Sequence, residues 1–226
     1  FIDSNIPDEL FAEAHLTKVT IGDNVTSIGE KAFYNCRSLG STTIGKNVVS
    51  FGDSAFGSCT GELFIDCNIP DRTFESSTFS KITIGENAST IGSNAFYNCT
   101  NLTSVTISDS VTTIGVCAFD SCTRLTNVTI GRNVTEIGHW AFYNCESLTS
   151  ITIPDSVTTI GEVAFYNCKS LTNVTIGSSV TTIGYSAFSI CRQLKNVYCK
   201  PENPPTLGDE AFTNSYNGYY NNIIYV

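Results

Sequence analysis

Ten cysteines, two histidines and a set of aspartates are the residues of this 226-residue chain that could do chemistry, and their spacing decides among the options. Zinc needs cysteine or histidine ligands that converge on one point, commonly as C-x2-C pairs. Here Cys36 and Cys59 lie 23 residues apart, and Cys99, Cys122, Cys145, Cys168 and Cys191 continue at steps of 23. Equal spacing marks one structural position repeated, so the row reads as small apolar thiols filling a core, not as a metal or redox array. Parallel Cβ vectors on stacked coils also make disulfide geometry poor. Cys67 and Cys199 read as replacements for an inward strand residue, while Cys117, just before an Ala-Phe pair, is expected to be accessible. His15 and His139 have no second histidine or cysteine at metal or triad spacing. Asp23, Asp109 and Asp155 share a column with Lys46, Glu86, Arg132 and Ser178, as in a solvated turn rather than an acid–base pair. An enzyme of parallel-solenoid type, such as a polysaccharide lyase, therefore finds little material. No catalytic residue, cofactor or metal site is expected.

The elements that hold these residues follow from an internal repeat. Ala-Phe recurs at Ala32-Phe33, Ala55-Phe56, Ala95-Phe96, Ala118-Phe119, Ala141-Phe142, Ala164-Phe165, Ala187-Phe188 and Ala211-Phe212. The unit reads L-x-x-V-T-I-[G/S/P]-x-x-V-x-x-I-G-x-x-A-F-x-x-C-x-x. Full repeats cover 16–61 and 79–193, short units lie near 1–15 and 62–78, and a modified terminal repeat runs over 194–226. With no linker between units, residues 1–226 form one array and are expected to be a single repeat domain.

Each column has a physical reading. In L-x-x-V-T-I, two apolar residues alternate about an outward Thr, the period of a half-buried strand, and strands one repeat apart must stack in parallel. The glycine column at Gly29, Gly52, Gly92, Gly115, Gly138, Gly161, Gly184 and Gly208 implies either positive φ or a backbone too close for a Cβ. A-F-x-x-C places apolar residues at i, i+1 and i+4, which suits a short helical turn facing the core. One coil cannot bury its own faces, whereas stacked coils can.

Segments such as Leu148-Thr149-Ser150-Ile151-Thr152-Ile153-Pro154-Asp155-Ser156-Val157-Thr158-Thr159-Ile160-Gly161, followed by Ala164-Phe165-Tyr166-Asn167-Cys168, resemble the BspA-like leucine-rich repeats. The resemblance covers essentially the whole chain. It implies a curved, right-handed leucine-rich-repeat superhelix with a parallel β-sheet and short helical turns, found in secreted or surface proteins and associated with adhesion to host matrix proteins and with coaggregation. It brings no catalytic motif. The implied partner is a host matrix or cell-surface protein, or a glycan held on exposed aromatics such as Trp140 and the column Tyr34, Tyr97, Tyr143 and Tyr166. An architectural spacer is the other reading. A flat Thr ladder that orders ice is the weaker account of Thr20, Thr43, Thr83, Thr106, Thr129, Thr152 and Thr175, because curvature spoils a lattice match and β-branched residues suit an exposed strand face.

Composition agrees. The formal charge of -9 argues against a nucleic-acid partner, whose phosphates demand Lys/Arg patches. No stretch reaches the roughly 20 apolar residues of a membrane span, so membrane insertion is not expected. The first residues already read as repeat, and the chain is expected to be a mature, extracellular segment without its targeting leader.

Two local expectations remain. The columns before Ala-Phe are polar in early coils but become Val116-Cys117, His139-Trp140, Glu162-Val163 and Tyr185-Ser186. Stacking sets these side by side, which marks a contact surface of Cys117, His139, Trp140, Val163 and Tyr185, or else packing beneath a flanking segment. Phe64 and Tyr198 are the large anchors on the Thr-lined face. Placing Asp3 and Asp66 in the outward Thr column predicts diagonal pairs Asp3–Lys18 and Asp66–Lys81, with Phe1 and Phe64 outward.

Overall fold

A computed structural model of the chain describes residues 1–213 and, as backbone only, residues 223–225. The rest of the terminal repeat, at 214–222 and 226, lies outside the described residues. The coils stack as a parallel β-solenoid. Long strands Lys18–Ile21, Ser41–Ile44, Glu62–Ile65, Lys81–Ile84, Ser104–Ile107 and Asn127–Thr129 pair in one run, and Ser150–Thr152, Asn173–Ile176, Asn196–Cys199 and Ile223–Tyr225 in a second. The interruption falls where the strand leads into Pro154, which has no N–H to donate where Gly45 and Gly85 donate to the Ile21 and Ile65 carbonyls. Two-residue strands form a second ladder: Ser27–Ile28 with Ser50–Phe51, then Thr90–Ile91, Thr113–Ile114, Glu136–Ile137, Thr159–Ile160, Thr182–Ile183 and Thr206–Leu207.

The inward residues of each strand, with the Ala, Phe and Cys columns, make one continuous core. Phe96, Phe119, Phe142 and Phe165 stack face to face with centroids 5.2 Å apart. The column takes in Phe11 and Phe74 of the short units, which lack the Ala-Phe signature. All ten thiols are free, and every member of the 23-residue row is buried. Cysteine adds something a methyl could not. The Cys145 thiol donates to the Phe119 carbonyl and the Cys168 thiol to the Phe142 carbonyl, each at 3.3 Å, each tying its coil to the one before it. In the second short unit Ser77 takes the cysteine place, 3.3 Å from Cys99 Sγ.

The segment expected as a helical turn is built differently, and no helix occurs among the described residues. Ala32, Tyr34 and Cys36 N–H groups close tight turns onto Gly29, Lys31 and Phe33 carbonyls. The alternate amides of Lys31, Phe33 and Asn35 donate to Asp53, Ala55 and Gly57 of the next coil at 2.7–2.9 Å. A helix would use all these amides inside one coil and leave the stacking direction unbonded. The alternation needs left-handed backbone at the residue before Ala and the residue before Cys, for example φ 50° at Lys31 and 62° at Asn35. The nearby glycine column is not left-handed; its reason is close approach, since a Cβ on Gly161 would stand 2.6 Å from Gly138 C and His139 N.

The short units correct the expected register. Phe64, not Asp66, pairs with Thr43 and Thr83, and Ile65 pairs with Ile44 and Ile84. Lys81 therefore sits beside Glu62, at 3.5 Å, and the Asp66–Lys81 pair does not form. Asp66 instead accepts the Asn87 N–H at 3.1 Å and its Nδ2–H at 2.8 Å, and Asp3 accepts the Asn24 Nδ2–H at 2.8 Å in place of Lys18. A slip of two keeps the face of a strand and changes every partner, so Phe64 stays outward while the charges move. Cys67, two residues past the strand, is buried but does not replace the inward Ile; Cys199, paired with Ile176, does.

Short units also lean forward. Asn68 Oδ1 accepts the Ser89 N–H at 2.7 Å and Asp71 Oδ1 the Ser93 N–H at 2.6 Å. In the first unit Asn5 accepts from Thr26 and Asp8 from Glu30, each at 2.8 Å. Side-chain oxygens thus stand in for carbonyls that the shorter turn cannot supply.

Candidate binding surface

Trp140 heads the candidate surface. It is 41% exposed, with Val116 at 37% in the preceding coil and Tyr185 at 47% two coils on. Cys117 and Val163 are half-buried, and His139 is exposed. The coil stack brings Cys117, Trp140 and Val163 into one column and His139 and Tyr185 into the adjacent one. The His139 and Trp140 rings lie 6.2 Å apart. His139 Nδ1 accepts the Glu162 N–H at 3.1 Å, as Asp8 and Asp71 do at the same place in the short units. Tyr185 is tied by its hydroxyl to Glu210 at 3.3 Å. Phe64 and Tyr198 are not part of this group. They sit in the outward column of the long strands, in separate coils.

The backbone under this surface is unusual. Cys117, Trp140 and Val163 have φ of 54°, 53° and 58°, at the position where other coils place Lys31, Ser54, Asn94 or Ser186. Left-handed backbone costs ~1–2 kcal/mol for most L-residues, least for short polar ones, and a β-branched residue there is an outlier. The fold still needs that geometry, because Trp140 N–H donates to Glu162 O at 2.9 Å and Val163 N–H to Tyr185 O at 2.8 Å. Three successive coils thus hold partly exposed apolar side chains at a position whose conformation opposes them.

Burial shifts the titratable groups beneath the surface. Burial, then the Asp120 carboxylate, pushes the Cys117 thiol up, and burial likewise raises the Asp120 carboxyl, which accepts the Ser121 hydroxyl at 2.8 Å. Burial raises the core thiols further, to about 12 at Cys59 and Cys67 and well above the ordinary range at Cys122 and Cys168. The Asp column joins coils to one another, since Asp109 and Asp155 accept N–H bonds from Arg132 and Ser178 of the following coil at 2.8 and 2.9 Å.

The model of the BspA type leucine-rich repeat region matches the chain over residues 4–68, 67–193 and 112–223, in six copies. The chain belongs to the BspA-type leucine-rich repeat family. Among solved structures it is similar to the T. pallidum leucine-rich repeat protein TpLRR, at 27% identity over 62% of this chain and 78% of that one, with a TM-score of 0.53. A leucine-rich cell surface protein of Faecalibacterium prausnitzii A2-165 is 26% identical over 87% of this chain and 83% of its own, with a TM-score of 0.45. The pneumococcal vaccine antigen PcpA, at 13% identity, shares the fold over 99% of this chain and 83% of its own, with a TM-score of 0.50. No curated protein matches the chain. In this BspA-type array, reasoning from columns alone missed the left-handed positions. The signal was present: Asn or Ser recurs directly before Cys at Asn35, Ser58, Asn98, Ser121, Asn144 and Asn167, and Asn is a residue that tolerates positive φ.

Proposed function

We propose that this BspA-type chain is a non-enzymatic binding protein of the cell surface or secreted space. On this reading it is a single right-handed superhelical domain whose turn side contacts a host matrix or cell-surface protein. The observation that carries the reading is the run Cys117, Trp140, Val163, kept apolar and partly exposed on left-handed backbone in three consecutive coils. Residues that oppose their own local conformation point to a demand from outside the fold. Trp supplies large contact area at small entropic cost, and interface energy concentrates on such residues. Membership of a scaffold family without a catalytic motif supports a binding role over an enzymatic one. No helix among the described residues is long and apolar enough to cross a membrane. A glycan ligand draws on a separate observation, the Tyr143–Tyr166 pair stacked at 5.4 Å three columns beyond Trp140.

An array of extracellular-matrix proteins and oligosaccharides tests the proposal. A saturable hit is expected, and Trp140→Ala should weaken it by ~2 kcal/mol, about 30-fold, with an unchanged melting temperature. No saturable hit anywhere supports the spacer reading, and a Trp140→Ala protein that binds as well as the parent removes this surface from consideration.

A further inference from the structure

The turn-side ladder that joins coil to coil is missing at one junction. Elsewhere it is regular: Lys31, Phe33 and Asn35 donate to Asp53, Ala55 and Gly57; Arg72, Phe74 and Ser76 to Ser93, Ala95 and Tyr97; Trp140, Phe142 and Asn144 to Glu162, Ala164 and Tyr166. By the same pattern Ser54, Phe56 and Ser58 should donate to Asp71, Thr73 and Glu75. Among the described residues these three N–H groups make no backbone bond and these three carbonyls accept none. The short strand Ser50–Phe51 likewise pairs only with Ser27–Ile28, and Ile69 bridges only forward, to Ile91. The long-strand side stays closed, through Thr43–Phe64 and Ile44–Ile65. The second short unit, hooked to its successor by Asp66, Asn68 and Asp71, leans away from its predecessor, and a wedge of about 510 Å³ opens between them. At its floor the Phe stack loosens, with Phe56 and Phe74 5.7 Å apart and tilted by 34°.

We propose that this wedge is a second binding site, separate from the Trp140 surface, which takes an extended peptide segment carrying a basic side chain. One wall carries unpaired main-chain N–H groups at Ser54 and Phe56, with that of Ser58 next in the row. The facing wall presents only acceptors, at alternate residues 71, 73 and 75. Unpaired main-chain groups in a cleft favour a ligand that satisfies both. An extended main chain carries donors and acceptors at the same two-residue period, and at ~3.3 Å per residue a segment of about four or five residues spans the walls. The volume falls in the range of pockets that hold small ligands, roughly 300–1,000 Å³. The rim supplies the sign of charge. Asp53 has no ion-pair partner among the described residues, Asp71 is exposed, and Glu75 is only loosely paired with Arg72 at 3.6 Å. Three carboxylates against one guanidinium favour a lysine or arginine on the ligand.

The test uses the whole ¹⁵N-labelled chain and the pentapeptide Ala-Lys-Ala-Lys-Ala. In the free protein the Ser54, Phe56 and Ser58 amides should exchange with solvent at least 10-fold faster than those of Trp140, Phe142 and Asn144. Saturating peptide should slow the first set at least 10-fold. The same peptide with N-methylated amides keeps its charge and loses its donors, and it should bind at least 10-fold more weakly. Asp53→Asn should weaken the parent peptide, and Trp140→Ala should leave it unchanged. Equal protection of both amide sets in the free protein would show the junction closed and overturn the site. Absence of binding, equal affinity for the N-methylated peptide, or the same protection from maltotriose would each overturn the peptide assignment.

Discussion

The junction between coils 39–61 and 62–78 and the junction between coils 125–147 and 148–170 are made from one repeat, yet they hold together differently. At the second, Phe142 lies between Phe119 and Phe165, each at 5.2 Å, and the turn-side amides all reach the next coil. At the first, Phe56 stacks on Phe33 at 5.1 Å but only leans on Phe74, and the amide ladder is absent. The long-strand side closes the first junction; at the second it is the long-strand side that is interrupted and the turn side that is complete. Each coil has more than one way to hold its neighbour, and the two junctions use them differently. A coil shorter than its neighbours can satisfy the contour of one of them, and Asp66, Asn68 and Asp71 commit it to its successor.

The largest effect expected from this contrast is in the Phe stack. Phe142→Ala should cost ~3–5 kcal/mol in urea unfolding, and Phe56→Ala should fall at the low end of that range because it has one close-stacked neighbour rather than two. Equal costs would mean that the loosened junction is packed as well as the regular one.

Alkali should act next. An unfolded cysteine ionises near pH 9, whereas burial holds Cys59 and Cys67 at about 12. Between those values the folded state keeps protons that the unfolded state has lost. Stability is therefore full below pH 9 and falls as pH rises toward 12, by about 1.4 kcal/mol per pH unit for each such thiol. Urea midpoints at pH 8 and pH 10.5 give the measurement; a flat profile would mean that the thiols are not desolvated.

The smallest effect separates fold from function. Val163→Asn should raise stability by up to ~1 kcal/mol, because Asn accepts the left-handed backbone that Val resists. It should also weaken whatever binds beside Trp140. A loss of stability would show that Val163 is there for packing and would remove the main support for the Trp140 surface.

Much of this architecture was legible in the columns. Period-two alternation in Val-Thr-Ile gave the parallel strands, and the 23-residue step gave the buried thiol row, because both depend on side chains meeting their own copies. Trp140, Val116 and Tyr185 stood out because they broke a polar column, and they are exposed. The turn segment was misread as helical, since an apolar i, i+1, i+4 pattern is equally compatible with alternating left- and right-handed turns. The choice is made by amides that bond between coils, which no single repeat encodes. The register of Phe64 failed for a related reason. Inward Ile65 sets it through Ile44 and Ile84, and an Asp shared between the two short units was a poorer guide. The open junction could not be read at all, because the short unit matches its successor and the consequence falls on its predecessor.

The direction of the turn amides has a consequence for how such arrays change length. Each full coil offers carbonyls to the coil before it and N–H groups to the coil after it, so its two faces are complementary to each other. A duplicated coil inserted between two others meets a matching face on either side and leaves no group stranded. Length can then vary by whole coils with little penalty to the neighbours. The short unit is the exception, since Asp66, Asn68 and Asp71 hook forward and only Thr78 reaches back, donating to the Cys59 carbonyl at 2.7 Å. Copied into the middle of an array it divides the stack into successive blocks. In this chain a new block begins at residue 62, after Gly61 with its φ of 86°, the one glycine among the described residues whose backbone is left-handed.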